Sequence, residues 1–308
     1  AIGSSSGSDI EVRGDIVLNS TTSIGTNKII VNGTGTQNCS GTGGSGYAFE
    51  INKVSGALNF TSNLSFYQAY TYLSGSVNWN TNKATLALGT NATITSGTFY
   101  DLEIAKTSFT LTIATANIIV ANTFTLTSGV LSGFDIEVRG NIALNSSAAS
   151  NAIKIIANGT GTQDVTSTGV CSSTFEINKA SGTINFNSSV TFSRNYTYLA
   201  GTVNWNTNTA IFSGNSSGVT ITAGVFYNLT LGSGVHATQI TGAIPVTNNL
   251  TLNTCASING SNITFGANLA IAGTITTGTS KVLPASTGNQ TTSGAGTIGI
   301  TLEINKVT

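Results

Sequence analysis

The chain has 308 residues, only 7% of them charged, and eleven Lys and Arg balance eleven Asp and Glu. That balance leaves no basic stripe to gather nucleic acid or anionic lipid, and no acidic run to act as a solvating tail. No apolar run reaches the ~20 residues of a membrane-spanning helix, so neither nucleic-acid binding nor membrane insertion is expected.

The opening Ala1-Ile2-Gly3-Ser4-Ser5-Ser6-Gly7 is small and polar and lacks the basic flank of a signal peptide. Met is absent even at position 1, so the sequence reads as a processed product or an excerpt of something longer. The first predicted strand is Ile10-Glu11-Val12-Arg13, whose alternation sets Ile10 and Val12 inward and the charges outward. Asp9, Glu11 and Arg13 then form a solvated patch rather than a catalytic or calcium-binding group. In Phe49-Glu50-Ile51-Asn52, Phe49 and Ile51 likewise point in. Asn78-Trp79-Asn80 follows, with Trp79 on the face of Val77, and then Thr98-Phe99-Tyr100-Asp101-Leu102-Glu103-Ile104 and Phe124-Thr125-Leu126-Thr127. Ser-Gly, Asn-Gly and Thr-Ser-Gly turns separate these runs, and no stretch keeps the helical period.

The elements then repeat. Asp9-Ile10-Glu11-Val12-Arg13-Gly14 returns as Asp135-Ile136-Glu137-Val138-Arg139-Gly140, 126 residues on. Phe49-Glu50-Ile51-Asn52-Lys53 returns as Phe175-Glu176-Ile177-Asn178-Lys179 and again as Leu302-Glu303-Ile304-Asn305-Lys306. Between residues 49–84 and 175–210, 23 of 36 positions are identical, too many for chance. We read one continuous solenoid over 1–308, with copies at 9–134, 135–261 and a partial one at 262–308. Seven coils of about 18 residues would fill one copy, and fewer coils of about 21 to about 25 residues fit as well.

A short strand cannot bury its inner face alone, whereas coils stacked on one another build a continuous core. The expected fold is therefore all-β, a right-handed parallel β-helix, with Asn and Thr forming side-chain ladders. Only Pro245 and Pro284 occur, as expected where almost every N–H serves a neighbouring coil. A tandem β-sandwich is the competing fold and would require more hairpin turns.

The phrases Ser96-Gly97-Thr98-Phe99-Tyr100-Asp101-Leu102, Phe226-Tyr227-Asn228-Leu229-Thr230-Leu231 and Asn249-Leu250-Thr251-Leu252 resemble those of bacterial surface proteins built from parallel β-helix repeats, the filamentous adhesins and autotransporter-like passengers. The resemblance is one of style over nearly the whole chain. It implies secretion or a cell-surface location, and attachment or scaffolding, without a specific ligand.

Chemistry-bearing residues are sparse. The third copy of the Asp9 strand, Asn262-Ile263-Thr264-Phe265-Gly266, has lost every charge, which argues for a structural role of the acidic positions. Lys28, Lys154 and Lys281 each precede an apolar strand and read as snorkelling or edge-blunting surface charges. His236 stands alone, and Cys39, Cys171 and Cys255 fall at different points of the repeat and read as small buried side chains. No cofactor, metal or catalytic group is expected. The preferred reading is a structural segment of a surface fibre, filament or sheath, associating with its own kind end to end or laterally. The alternative is an adhesin in which Trp79, Trp205, Tyr72 and Tyr198 stack on glycans; a polysaccharide lyase or hydrolase comes third.

Overall fold

A computed structural model describes residues 8–19, 26–146, 152–214, 218–232, 236–286 and 288–304. Among them there is no helix. The fold is a β-solenoid of about 14 turns whose strand pairings are parallel, so the sandwich does not arise. Two compact units divide the chain, Ala1–Lys154 and Ile155–Thr308.

In the first unit, one inward column runs Ile10, Ile29, Phe49, Tyr70, Ile94, Ile113 and Gly133, each paired with the next. The shortest steps are from Ile10 to Ile29 and from Ile94 to Ile113, and the longest is from Tyr70 to Ile94. Averaged over the column, a coil takes about 20 residues, a length usual for stacked β-repeats, and seven coils do not fit one copy. A second column climbs from Ile16 through Cys39 to Phe60 by strand pairing. It continues by ring contact through Trp79 to Phe99, and by pairing again to Val120 and Val138. A third contains Phe66, Leu86, Ile104, Leu126 and Leu144. Alternation explains why these side chains meet: residues i and i+2 of each short strand face one way, and the next coil repeats them one ladder spacing above.

Comparing the columns shows how the sequence period fits the winding. Val12 stands beside the first column on the same strands, below Val31 and Ile51, whereas its copy Val138 stands in the second, on Val120. The period therefore spans six coils and one further face, not a whole number of coils. The second unit behaves alike. Phe175 leads a column through Tyr196, Ile221, Ile240 and Gly260. Leu302, the next counterpart of Phe175 in the sequence, instead joins Val282 and Ile263 in the sheet that also holds Val246 and Phe265. Within each unit, therefore, the two copies compared fall in different columns.

The two units share a packing device. Phe60 lies on Trp79 with ring centroids 3.8 Å apart, and Phe186 lies on Trp205 at the same distance. Around them Phe49, Phe66, Tyr70 and Phe99 in the first unit correspond to Phe175, Phe192, Tyr196 and Phe226 in the second. Each buried ring removes some ~150–250 Å² from water.

Candidate functional site

The polar residues that recur in the sequence are used inside the fold, and the least expected of them is a lysine. Phe49, Ile51 and Lys53 share one parity on the strand Ala48–Phe60, so the alternation that buries the first two also buries the third. The Lys53 ammonium donates to Gly33 O at 2.7 Å, to Gly35 O at 2.9 Å and to Gln37 Oε1 at 2.5 Å. From the other end of its amide, Gln37 donates through Nε2 to Val12 O and Gly14 O in the coil below. In the coil above, Gly75 adopts φ of 106°, and a Cβ there would come 2.6 Å from Lys53 Cβ. Lys53 and Gln37 together thus tie a corner across three successive coils, with Gly75 of a fourth packed above. A cation in a cage of carbonyl oxygens could also describe a metal site, but here the protein supplies the cation.

The second unit repeats the clamp. Lys179 donates to Gly159 O, Gly161 O and Gln163 Oε1 at 2.5, 2.9 and 2.6 Å, beneath Gly201. Lys106, fully buried, donates to Thr90 O and lies beneath Gly129, where a Cβ would come 2.9 Å from Lys106 Cβ. The sequence Leu102-Glu103-Ile104-Ala105-Lys106 is thus the structural counterpart of Phe49-Glu50-Ile51-Asn52-Lys53. Burial lowers the pKa of all three lysines, that of Lys106 to about 8. Lys306, the next member of the series, lies outside the described residues.

The acidic residues work as hydrogen-bond acceptors at coil corners. Asp9 Oδ1 accepts the amide of Lys28 at 2.9 Å, and Asp135 Oδ1 accepts that of Lys154 at 2.8 Å. Asn262 Oδ1 accepts the amide of Lys281 at 3.1 Å in the same way. The third copy could lose its charge because the position needs an oxygen and not a carboxylate. Asp15, Asn63, Asp101 and Asn195 do the same for Asn38, Lys83, Thr123 and Thr220. Lys28 and Lys281 reach across to Glu50 and Glu303 in the following coil at 2.9 and 2.8 Å. Lys83 reaches Glu103 at 2.6 Å, and that hydrogen bond holds the Glu103 carboxyl below its ordinary pKa. Among the described residues no three His, Cys, Asp or Glu side chains are grouped to hold a metal ion.

Of the four residues of the alternative glycan-stacking reading, the two tryptophans are not on the surface. Trp79 and Trp205 are each only 3% exposed, inside the ring stacks, so neither indole face is open to a sugar. The Trp79 indole N–H lies beside the buried Tyr70 hydroxyl, whereas that of Trp205 is buried without an acceptor, a cost of about 1–3 kcal/mol that the surrounding rings must offset. Tyr72 and Tyr198 are half-buried, and their hydroxyls donate to Gly75 O and Gly201 O further along the same strands. Their own amides are capped by the hydroxyls of Thr95 and Thr222. These four contacts blunt strand edges left unpaired toward the following coil after the single pairings at Tyr70 and Tyr196.

Beside Tyr72 lies a cleft of about 450 Å³, lined by Tyr70, Ser76, Ser96, Thr98, Asn117 and Ile119 among others. His236 is half-buried at a coil corner, where its carbonyl accepts the amide of Ala256. Cys39, Cys171 and Cys255 are buried and unpaired with one another, and burial raises the Cys39 and Cys171 thiols to about 12. At that value neither thiol is a nucleophile at neutral pH.

No protein-family model, no curated protein and no solved structure matches this chain.

Proposed function

We propose that this chain is a structural segment of an extracellular fibre, filament or sheath, in which stacked backbone ladders supply stiffness. The observation that supports this reading most is the use of its repeated polar residues. The Lys53 and Lys179 ammoniums, the Asp9 and Asp135 carboxylates and the Asn262 amide each bond one coil to another. A sequence that repeats such residues is repeating bracing. The resemblance of its turn-and-strand phrases to bacterial surface proteins supports a fibre outside the cell. Immunogold electron microscopy of the source cells with an antibody against the folded chain tests this. Gold along filaments or an outer layer supports the reading, and gold confined to the cell interior overturns it.

A second reading, glycan binding, draws on the cleft beside Tyr72, whose hydroxyl and amide lining suits a neutral sugar. Glycan-array binding that survives Trp79→Phe but is lost in a Ser76→Lys, Thr98→Lys variant would favour it over the fibre.

A further inference from the structure

No Asp, Glu, Lys or Arg occurs between Arg194 and Lys281. The consequence is clearest on the seven-stranded sheet of the second unit built from Val170–Cys171, Val190–Phe192, Thr209–Phe212, Asn228–Leu231, Leu250–Leu252, Leu269–Ile271 and Thr292–Ser293. Its outward central row is Val170, Thr191, Ile211, Thr230, Thr251, Ala270 and Ser293, each in register with the next. Beside it runs an amide row: Asn248 Nδ2 donates to Asn228 Oδ1 at 2.9 Å, Asn268 Nδ2 to Asn249 Oδ1 at 3.1 Å, and Thr291 Oγ1 to Asn268 Oδ1 at 2.6 Å. No charge and no aromatic ring projects from these rows. The first unit differs: its row through Ser65, Thr85, Glu103 and Thr125 carries Glu103, paired with Lys83.

We infer that this uncharged sheet face of the second unit is a lateral contact surface for a second copy of the chain. A contact of a patch with itself demands self-complementarity. A patch of one charge sign repels its copy, whereas the hydroxyls of Thr191, Thr230, Thr251 and Ser293 and the carboxamides beside them are donors and acceptors at once, and the apolar Val170, Ile211 and Ala270 between them add no charge. The lack of outward aromatic rings removes the usual platform for a polysaccharide. At about 4.8 Å per strand and about 3.3 Å per residue, the face offers about 300 Å². A stable pair buries about 800 Å² on each partner. The contact is therefore weak alone and gains strength where copies are already aligned, so the inference rests on the fibre reading for its context.

Sedimentation equilibrium of the full chain from about 10 µM to about 1 mM tests it. The weight-average mass should climb toward twice the monomer mass, and about 1 M NaCl should change the apparent dissociation constant less than about twofold. A Thr230→Lys, Thr251→Lys variant and a Thr230→Glu, Thr251→Glu variant should each weaken association at least tenfold. Mixing the two should restore it, which shows that both fold. A Thr220→Lys, Gln239→Lys variant, charged on another face of neighbouring coils, should associate as the parent does. A parent monomeric at the top of that range, or association untouched by charges at 230 and 251, overturns the inference. Filaments that form end to end but never pair would sink this surface and spare the fibre reading. Pairing of the pure chain, with gold labelling confined to the cell interior, would do the reverse.

Discussion

Replacing Lys53 by methionine keeps the stem that fills the coil corner and removes all three donated hydrogen bonds. Gly33 O, Gly35 O and Gln37 Oε1 then lose their shared donor. A buried acceptor left unsatisfied costs about 1–3 kcal/mol, and the variant regains the desolvation cost that lowers the lysine's pKa, so the net loss should be about 2–4 kcal/mol. Lys28→Met is the control, because Lys28 is well exposed and its ion pair with Glu50 should contribute about 0–1 kcal/mol. Guanidinium unfolding gives the totals, and hydrogen exchange at residues 33–37 and 53–58 shows whether the loss is local. High pH separates charge from hydrogen bonding. A neutral amine keeps two N–H donors for the cage, whereas methionine keeps none. Deprotonation should therefore stabilise the fold while Lys53→Met destabilises it. Equal losses for Lys53→Met and Lys28→Met would refute the clamp.

The pH dependence itself follows from the lowered pKa values. Between about 8 and 10.5 the unfolded chain holds the Lys106 proton that the folded chain has released, so stability should rise with pH across that window and be flat in this respect below it. Thermal melts across that window check this, and Lys106→Met should flatten the rise. Asp101 accepts from Thr123 N and Asn122 Nδ2, both at 2.8 Å; Asp101→Asn should cost under about 0.5 kcal/mol and Asp101→Ala about 1–2 kcal/mol, measured by denaturant midpoint. Trp79→Ala should cost about 3–5 kcal/mol by the same measurement, since it empties the centre of a ring stack. Gly75→Ala should destabilise more than Gly89→Ala, because only the former has a positive φ and a neighbour in the way.

Strand alternation was legible throughout because each coil buries one face of each short strand, and Phe49, Ile51, Val138 and Leu231 all point in as their parity requires. The same parity places Lys53 and Lys179 inside, yet lysine is so rarely buried without a partner that the inward reading of Phe49 and Ile51 stops short of Lys53, whose partners Gly33, Gly35 and Gln37 lie beneath it. Those partners lie in the preceding coil, joined to Lys53 by winding and by no local motif. The structural role of Asp9 was readable from its loss at Asn262, since an amide oxygen replaces a carboxylate as acceptor but not as catalyst. The coil length was not readable. Corners differ in length, so that one step runs from Ile10 to Ile29 and a longer one from Tyr70 to Ile94, and the sequence period does not close on a whole coil. Trp79 shares its inward direction with the core, and the stack on Phe60 explains why two tryptophans in identical settings are both hidden.

The measurement that bears most directly on the fibre reading is X-ray diffraction from aligned native material containing this chain. Coils stacked along a fibre put a strong reflection near ~4.8 Å on the meridian, because that is the spacing between successive ladders. Native material that yields no oriented fibre, or that puts this ladder reflection on the equator, would contradict it.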